Sequence, residues 1–174
     1  MQGESKPELV IAGRSLLDRT LDACGGAAHV VIVGGEHLRR DGSLWACEDP
    51  PGSGPAAGLA AGVAALDASG DASALVLVLG ADTPRALECV PALLDGLTES
   101  ADGAWLVDAE SRPQPLVAVY RREALSTRCE GDLAGASLRT MTDGLAMVGI
   151  EDIHGASRDV DTWDDVTYWE GELS

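Results

Sequence analysis

The sequence predicts an α/β protein of the three-layer, doubly wound class with a mostly parallel sheet. Two observations predict this fold class. Strand and helix patterns alternate along the chain, and the strongest strands are continuous apolar runs at residues 29–33 and 74–79. Alternation and unbroken apolar strands are typical of parallel sheets that helices cover on both faces. The length of 174 residues suits one domain, and the core should be built from Val, Leu and Ala because Phe is absent.

The first half of the chain contains three strand patterns and two helix patterns. A short extended stretch at 8–12 precedes Ser15, which is placed to cap a helix with apolar residues at helical spacing. The apolar run at 29–33 ends at a Gly-Gly pair and reads as a buried strand. A weaker strand pattern at 43–48 leads into a proline- and glycine-rich loop, which opens an alanine-rich helix that ends near residue 68.

The second half of the chain repeats this alternation. The strongest strand, 74–79, ends in Gly-Ala-Asp-Thr-Pro, and a helix is expected from Pro84 to about residue 97. Strands are predicted at 103–108 and 116–120. A further helix, a strand at 145–150 and a final helix from residue 162 complete the chain.

Charge and composition narrow the classes of function. The formal net charge is −17, and so acidic a surface repels phosphate backbones, which argues against a nucleic-acid partner. No apolar run approaches the ~18 residues of a membrane helix, and the first residues do not resemble a signal peptide. The four cysteines are widely spaced, without a metal-binding pattern. We therefore expect a cytoplasmic protein with free thiols that neither contacts nor crosses a membrane.

Asp82 is the sharpest candidate for chemistry. In a doubly wound sheet, ligands bind beyond the carboxyl ends of the strands, and Asp82 directly follows the strongest strand. A carboxylate there suits Mg²⁺, which binds through one or two carboxylates together with substrate phosphates. The alternative is that Asp82 or Thr83 only caps the helix that Pro84 begins.

Gly54 and the helix after it form a second candidate. Small residues at a helix start let a ligand approach the backbone, and the helix N-terminus favours anions. The alternative is close packing of this helix on the sheet, which Gly58 and Gly62 would favour at their spacing of one turn. Asp49, ahead of the loop, could cap a turn or bind a ribose or base.

Other polar residues are weak candidates when taken singly. Lys6 lies in a polar segment, and most such lysines are merely solvated. Gln114 follows Arg112 in an Arg-Pro-Gln-Pro loop that could bind a polar ligand or only shape a turn. The acidic segment 159–165 resembles a helix start capped by Asp161 or Thr162.

Taken in order, these segments resemble the molybdenum-cofactor guanylyltransferase family over nearly the whole chain. The Gly-Pro-x-Ala-Gly and Gln-Pro-Leu segments are fairly specific to it, whereas the Asp-x-Pro turn is shared with wider nucleotidyltransferases. The segments that carry the resemblance are Gly-Glu-Ser-Lys-Pro, Gly-Arg-Ser-Leu-Leu-Asp-Arg, Asp-Pro-Pro-Gly-Ser-Gly-Pro-Ala-Ala-Gly, Gly-Ala-Asp-Thr-Pro, Gln-Pro-Leu-Val-Ala-Val-Tyr-Arg and Asp-Thr-Trp-Asp-Asp.

The resemblance implies a nucleotide-diphospho-sugar transferase-like fold and an Mg²⁺-dependent enzyme. Such an enzyme transfers GMP from GTP to a molybdopterin-type cofactor and releases pyrophosphate. The resemblance assigns catalysis to Asp82 as the Mg²⁺ ligand and to Lys6, which reaches the triphosphate. It further implies transient contact with other molybdenum-cofactor proteins. Nucleotide binding is thus assigned to Lys6, Asp49, Gly54 and Asp82, and acceptor binding to Arg112, Gln114 and Asp161.

Two departures from the family pattern leave alternatives open. The family opens with a buried strand and a Leu-Ala-Gly-Gly-x-x-x-Arg-x-Gly loop, and residues 1–3 align with the end of that loop. Residues 1–174 are therefore expected to form a single nucleotidyltransferase-like domain that lacks the first strand and most of the loop. Asp159 and Asp161 stand where the best-known members have Asn, and Trp163 replaces Pro. The alternatives are a cytidylyltransferase, a sugar-phosphate nucleotidylyltransferase, or an inactive nucleotide-binding or regulatory domain.

Overall fold

The structure is a computed structural model that describes residues 5–153 and 155–174. Residues 1–3, which the sequence analysis aligns with the end of a glycine-rich loop, lie outside the described residues. The helices are α1 (Leu16–Ala23), α2 (Pro55–Ala68), α3 (Ala86–Asp95), α4 (Arg122–Arg128), α5 (Leu138–Thr142) and α6 (Trp163–Glu172). The strands are β1 (Val10–Ile11), β2 (Arg14–Ser15), β3 (Val31–Val33), β4 (Leu44–Ala46), β5 (Leu75–Leu79), β6 (Gly103–Val107), β7 (Pro113–Arg121) and β8 (Met147–Glu151).

Within the described residues, the strands form three separately hydrogen-bonded sheets. A short hairpin joins β1 and β2, a parallel pair joins β3 and β4, and a four-stranded sheet has the order β5-β7-β6-β8. In the largest sheet β6 and β8 are parallel, and both β5 and β6 are antiparallel to β7. Strands β5, β6 and β8 therefore share one direction, and the predicted α/β fold with a mostly parallel sheet is confirmed.

Helices cover both faces of the sheets and produce three layers. On one face, α2 contributes Ala56, Val63 and Leu66 to a core with Val76 and Val78 of β5. On the other face, α3 packs the side chains of Cys89 and Leu93 against β5, β6 and β7, and α1 contacts α3. The alternate residues of β5 thus enter opposite cores, as expected for a strand buried on both faces.

The antiparallel direction of β7 was not predicted. Strands β6 and β7 are joined by a tight connection in which Asp108 N donates a hydrogen bond to Arg112 O at 3.1 Å. A connection this short can only reverse the chain, because a parallel crossover needs a dozen or more residues. The short spacing between the predicted strands already contained this signal.

Two of the predicted helix caps, Ser15 and Thr162, are confirmed. Ser15 Oγ accepts a hydrogen bond from Asp18 N and caps α1. Thr162 caps α6, and Asp165 completes a reciprocal capping box with it. Among the described residues, no helix is long and apolar enough to cross a membrane.

Two glycines provide a matched test of the packing. A methyl group at Gly103 would lie 2.5 Å from Val119 O, a backbone atom that cannot move aside, whereas one at the exposed helical Gly171 would meet nothing within 4 Å. We expect Gly103→Ala to destabilise the protein by ~1–3 kcal/mol and Gly171→Ala to be neutral or to stabilise it by up to ~1 kcal/mol. Urea unfolding midpoints measure both. Equal effects of the two substitutions would contradict the packing described for β6 and β7.

Candidate active site

Asp82 lies just beyond the carboxyl end of β5, where the chain is held tightly. Gly80 N donates to Leu116 O at 2.7 Å, which extends the β5–β7 ladder to the last residue before the turn. A Cβ atom at Gly80 would lie only 2.7 Å from Asp82 Oδ1. The carboxylate therefore folds back over Gly80, and the absence of a side chain at position 80 makes room for it.

Asp82 is not a helix cap. Helix α3 begins at Ala86 rather than at Pro84, its N-cap residue is Arg85, and that cap makes no side-chain hydrogen bond. The hydroxyl of Thr83 donates instead to Gly80 O at 2.8 Å, so it closes the turn. The capping interpretation of Asp82 and Thr83 is therefore wrong, because the turn after β5 delays the helix by two residues.

The segment before α6 meets this turn and completes an acidic cluster around Lys6. Val160 N donates to Asp82 O at 2.9 Å, and the Val160 side chain is fully buried. This anchor places Asp159 and Asp161 on either side of the contact. Asp161 forms an ion pair with Lys6, in which both side chains remain substantially exposed.

Electrostatics show that these four charged groups influence one another. The hydrogen bond from Lys6 to Asp161 raises the pKa of the lysine above its ordinary value, and the charges of Asp82 and Asp159 add to this. Partial burial raises the pKa of Asp159, and the negative charges of Asp161 and Asp82 raise it further. The cluster therefore holds more negative charge than Lys6 neutralises, which favours an additional cation.

Asp159 and Asp165 have pKa values shifted in opposite directions, so their substitutions should change the stability of the protein in opposite directions. Because its pKa is raised on folding, Asp159 lowers stability at neutral pH, and this penalty disappears below the ordinary aspartate pKa of 3.8. The capping bonds to Thr162 depress the pKa of Asp165 to about 2, so its stabilisation is lost as pH falls through that value. We expect Asp159→Asn to raise the melting temperature at pH 7 by roughly 1–3 °C and Asp165→Asn to lower it.

The measurement is thermal unfolding of the metal-free protein as a function of pH. The gain from Asp159→Asn should shrink as the pH approaches 4, and the loss from Asp165→Asn should persist to lower pH. If Asp159→Asn instead lowers the melting temperature at pH 7, the hydrogen bonds of that carboxylate outweigh the repulsion.

Gly54 begins α2 in a conformation that favours glycine, with φ at +98°. Pro55 occupies the first helical position. The N-cap residue, Gly54, makes no side-chain hydrogen bond to the helix, so the N–H groups of the first turn remain available to a ligand. Gly58 and Gly62 serve packing, because a Cβ at Gly62 would lie 2.9 Å from a methyl group of Val33. Gly54, at the start of the helix, therefore remains a candidate for ligand binding, whereas Gly58 and Gly62 within the helix serve close packing.

One cavity of about 1000 Å³ brings these elements together. Its lining includes Pro7, Gly54 and Gly80, which are neighbours of Lys6, the α2 N-terminus and Asp82 respectively. Asp49 lies in the turn between Glu48 and Gly54, both of which line the cavity. The expectation that Asp49 and Asp82 bind one nucleotide stays a prediction.

Sequence reasoning did not single out Glu48 or Asp159 as site residues. Glu48 Oε1 accepts a hydrogen bond from Gly52 N at 2.9 Å and so shapes the loop before α2. Backbone hydrogen bonds, first its own and then that from Gly52, lower the pKa of Glu48 and keep it ionised. Asp159 was noted only as a departure from the family pattern, and Asp161 was predicted as an acceptor-binding residue or a helix cap; no local pattern showed that these two aspartates lie beside Lys6.

The predicted acceptor residues Arg112 and Gln114 are held in a cluster of their own. Arg112 Nε and Gln114 Nε2 both donate to Asp108 Oδ2, at 3.1 and 3.0 Å, and Arg112 also pairs with Glu110. Arg112 directly precedes β7 and Gln114 is its second residue, and the start of β7 lies beside the end of β5. They therefore share the carboxyl edge of the sheet with Asp82, but their described hydrogen bonds do not join them to Lys6 or Asp161.

The residues of the cluster fit Mg²⁺ only as a shared site with a phosphate substrate. Within residues 5–153 and 155–174, no group of three or more His, Cys, Asp or Glu side chains could hold a metal ion by itself. Mg²⁺ commonly binds through one or two carboxylates and completes its shell with waters and substrate phosphates. Asp82, with Asp159 nearby, offers such a partial ligand set.

One protein-family model matches most of this chain. The family model described as the MobA-like NTP transferase domain matches residues 1–147. The chain belongs to the MobA-like NTP transferase family. No significant match was found among curated protein sequences.

Solved structures share the fold of this chain. Molybdopterin-guanine dinucleotide biosynthesis protein A from Archaeoglobus fulgidus is 20% identical, with a TM-score of 0.71 over 98% of this chain and 91% of that chain. The 4-diphosphocytidyl-2C-methyl-D-erythritol synthase from Anaerococcus prevotii is 13% identical, with a TM-score of 0.67 over 99% of this chain and 92% of the other. The 2-C-methyl-D-erythritol 4-phosphate cytidylyltransferase from Thermus thermophilus is 19% identical, with a TM-score of 0.64 over 97% and 93%. At these identities the similarity shows the shared fold alone. The MobA-like domain thus has a nucleotidyltransferase fold.

Proposed function

We propose that this MobA-like domain transfers GMP from GTP to a molybdopterin-type molybdenum cofactor and releases pyrophosphate. The observation that carries the proposal is the convergence of Lys6, Asp82, Asp159 and Asp161 beyond the carboxyl end of β5. Ligands of open α/β sheets bind at this edge. The sequence motifs and the similarity to the Archaeoglobus fulgidus protein support guanylyl transfer in particular.

The nucleotide is held by charge and by backbone groups. Lys6 exchanges its ion pair with Asp161 for the triphosphate, which carries more negative charge than a single carboxylate. The N-terminus of α2 supplies free N–H groups and the positive end of the helix dipole beside Gly54. Asp49, in the loop before α2, contacts the guanosine.

Asp82 and its acidic neighbours prepare the site for a divalent cation. Asp82, with Asp159 nearby, would hold Mg²⁺ together with the substrate phosphates, and the cation would supply positive charge against the negative charge that develops during transfer. The Asp82 carboxylate lies over Gly80 at the end of β5, and the hydrogen bond from Val160 N to Asp82 O anchors the backbone of Asp82. Asp159 and Asp161 are anchored to the same turn through Val160.

The reaction is an in-line displacement at the α-phosphorus. An oxygen of the acceptor phosphate forms the new P–O bond, the bond to the β-phosphate oxygen breaks, and pyrophosphate leaves with that electron pair. No covalent enzyme intermediate forms, so catalysis depends on positioning and charge neutralisation. Lys6 stabilises the leaving pyrophosphate, and Arg112, Gln114 and Asp161 orient the acceptor.

Cytidylyl transfer is the second candidate. It is favoured by the similarity of the fold to two proteins named as a cytidylyltransferase and as a diphosphocytidyl-methylerythritol synthase, with TM-scores of 0.64 and 0.67. The two activities use the same displacement chemistry and differ in the base that the site accepts.

The discriminating experiment compares GTP, CTP and ATP in the presence of Mg²⁺. We expect GTP to raise the melting temperature most, because a ligand that binds only the native state stabilises it in proportion to the logarithm of its concentration over Kd. A parallel series with EDTA reports the contribution of the metal. A larger shift with CTP would favour cytidylyl transfer, and equal shifts with all three nucleotides would contradict a base-specific transferase.

A further inference from the structure

Lys6 is the only lysine in the sequence, and it lies in a short turn of residues 5–9, which we call the lysine turn. Glu8 N donates to Ser5 O at 2.9 Å, and this backbone bond closes the turn. The ammonium group of Lys6 pairs with Asp161, but the two side chains are 37% and 59% exposed. Ion pairs this exposed contribute little to holding a conformation. Other contacts must therefore help to fix the position of the lysine turn.

A histidine at the carboxyl end of β3 supplies such contacts. His37 Nε2 lies 3.2 Å from Ser5 Oγ, and the hydroxyl can donate to or accept from this ring nitrogen. The same nitrogen lies 3.7 Å from Glu8 Oε2, within the distance of an ion pair. Ser5 and Glu8 stand on either side of Lys6 in the chain. One imidazole ring therefore contacts both ends of the lysine turn.

The segment that carries His37 is anchored in the core. It is a short 3-10 turn, Glu36–Leu38, that directly follows the two glycines after β3. The side chain of Leu38 is buried and packs with Leu17 of α1. Arg40 Nη1 donates to Leu38 O at 3.1 Å and covers the end of the turn. The ring of His37 is thus attached to a part of the chain that is held on both of its sides.

Gly35 makes room for the ring of His37. A Cβ atom at Gly35 would lie 2.5 Å from His37 Cε1 and 2.7 Å from His37 Nδ1. The φ angle of Gly35 is −59°, which residues other than glycine adopt without strain. The position therefore requires the absence of a side chain rather than the conformational freedom of glycine. A methyl group there would push aside the ring, which is the free end of a flexible side chain.

We propose that His37 is a positioning residue for Lys6. Its contacts with Ser5 and Glu8 hold the lysine turn at the carboxyl edge of the sheet, so that the ammonium group is presented beside Asp161. His37 acts through Lys6 rather than on the substrate. The benefit to nucleotide binding rests on the proposed function, whereas the effect on the position of Lys6 does not.

The first test is the rate at which Lys6 reacts with an acetylating N-hydroxysuccinimide ester in the absence of nucleotide. Because the chain has one lysine, peptide mass mapping reads this site without interference from others. The hydrogen bond to Asp161 raises the pKa of Lys6 and keeps the amine protonated, which slows the reaction. A released turn forms that bond in fewer molecules. We expect His37→Ala to raise the rate about two- to fivefold.

A second variant and two controls separate positioning from general damage. Gly35→Ala displaces the ring without removing it and should also raise the labelling rate. His29→Ala is the matched control, because His29 Nδ1 lies 3.8 Å from Asp71 Oδ1 and its side chain is 43% exposed, against 57% for His37. It precedes β3, at the opposite end of the strand. Gly171→Ala, where a Cβ meets nothing within 4 Å, controls for Gly35→Ala. Both controls should leave labelling unchanged.

The second test is a double-mutant cycle on the affinity for GTP with Mg²⁺. We expect His37→Ala to raise the Kd about three- to tenfold, because a displaced ammonium group loses charge-assisted bonds to phosphate. In the Lys6→Met chain the same substitution should change the Kd less than about twofold, since the residue it acts through is gone.

The outcomes separate this inference from the proposed function. Unchanged labelling in both His37→Ala and Gly35→Ala would overturn the role of His37, whichever nucleotide the domain binds. So would a loss of GTP affinity that is as large in the Lys6→Met chain as in the unaltered chain. If the unaltered chain binds no GTP, guanylyl transfer is wrong, and the labelling comparison by itself still decides whether His37 positions Lys6.

Discussion

Replacing Asp82 by Asn is expected to lower the rate of nucleotidyl transfer by about 10²-fold or more. The substitution keeps the size of the side chain and removes its charge. A bound Mg²⁺ lowers the free energy of a negatively charged transition state by several kcal/mol. A tenfold change in rate corresponds to about 1.4 kcal/mol. The melting temperature should change little, because the Asp82 side chain makes no capping bond to α3.

The measurement is steady-state transfer of GMP with GTP and acceptor at several Mg²⁺ concentrations. Asp41→Asn, which changes an exposed loop aspartate in the same way, is the matched control and should keep full activity. Higher Mg²⁺ should partly restore the Asp82→Asn enzyme if the lost carboxylate is a metal ligand. Unchanged activity of Asp82→Asn would show that this carboxylate takes no part in the reaction.

Replacing Lys6 by Met is expected to weaken GTP binding at least tenfold and to lower kcat/KM by about 10²-fold. The ammonium group supplies a charge-assisted hydrogen bond to the triphosphate in the ground state and further stabilises the pyrophosphate as it leaves. Stability should be almost unaffected, because the Lys6–Asp161 pair is 37% and 59% exposed and exposed pairs contribute about 0–1 kcal/mol.

Arg14→Met provides the control for Lys6→Met. Arg14 pairs with Asp22 on the surface at similar exposure, 49% and 45%, and the charges that raise its pKa are those of Asp22 and Asp18. Both substitutions remove one positive charge and one exposed ion pair, so only a residue that touches the nucleotide should change the Kd measured by titration. Equal losses of affinity in the two variants would indicate a general effect of net charge on a chain that already carries −17.

The elements that the sequence predicted best are those whose signals are local. The apolar runs at 29–33 and 74–79 became β3 and β5, because continuous hydrophobicity demands burial on both faces wherever the strand lies. Ser15 and Thr162 cap α1 and α6, since a capping side chain needs only the first turn of its own helix. The position of Asp82 at the carboxyl edge follows from the same local reasoning.

What lies next to Asp82 was decided by the tertiary structure. Val160 N bonds to Asp82 O, and this contact between distant parts of the chain brings Asp159 and Asp161 to Lys6. The starting residue of α3 likewise depended on the turn that Thr83 closes. By itself the sequence determined the α/β class, the main strands and the chemical type of each candidate residue, because periodicity and capping act within a few residues. Only the tertiary structure decided which charges share a site and that β3 and β5 line one cavity, because those relations depend on packing between segments that are far apart in the chain.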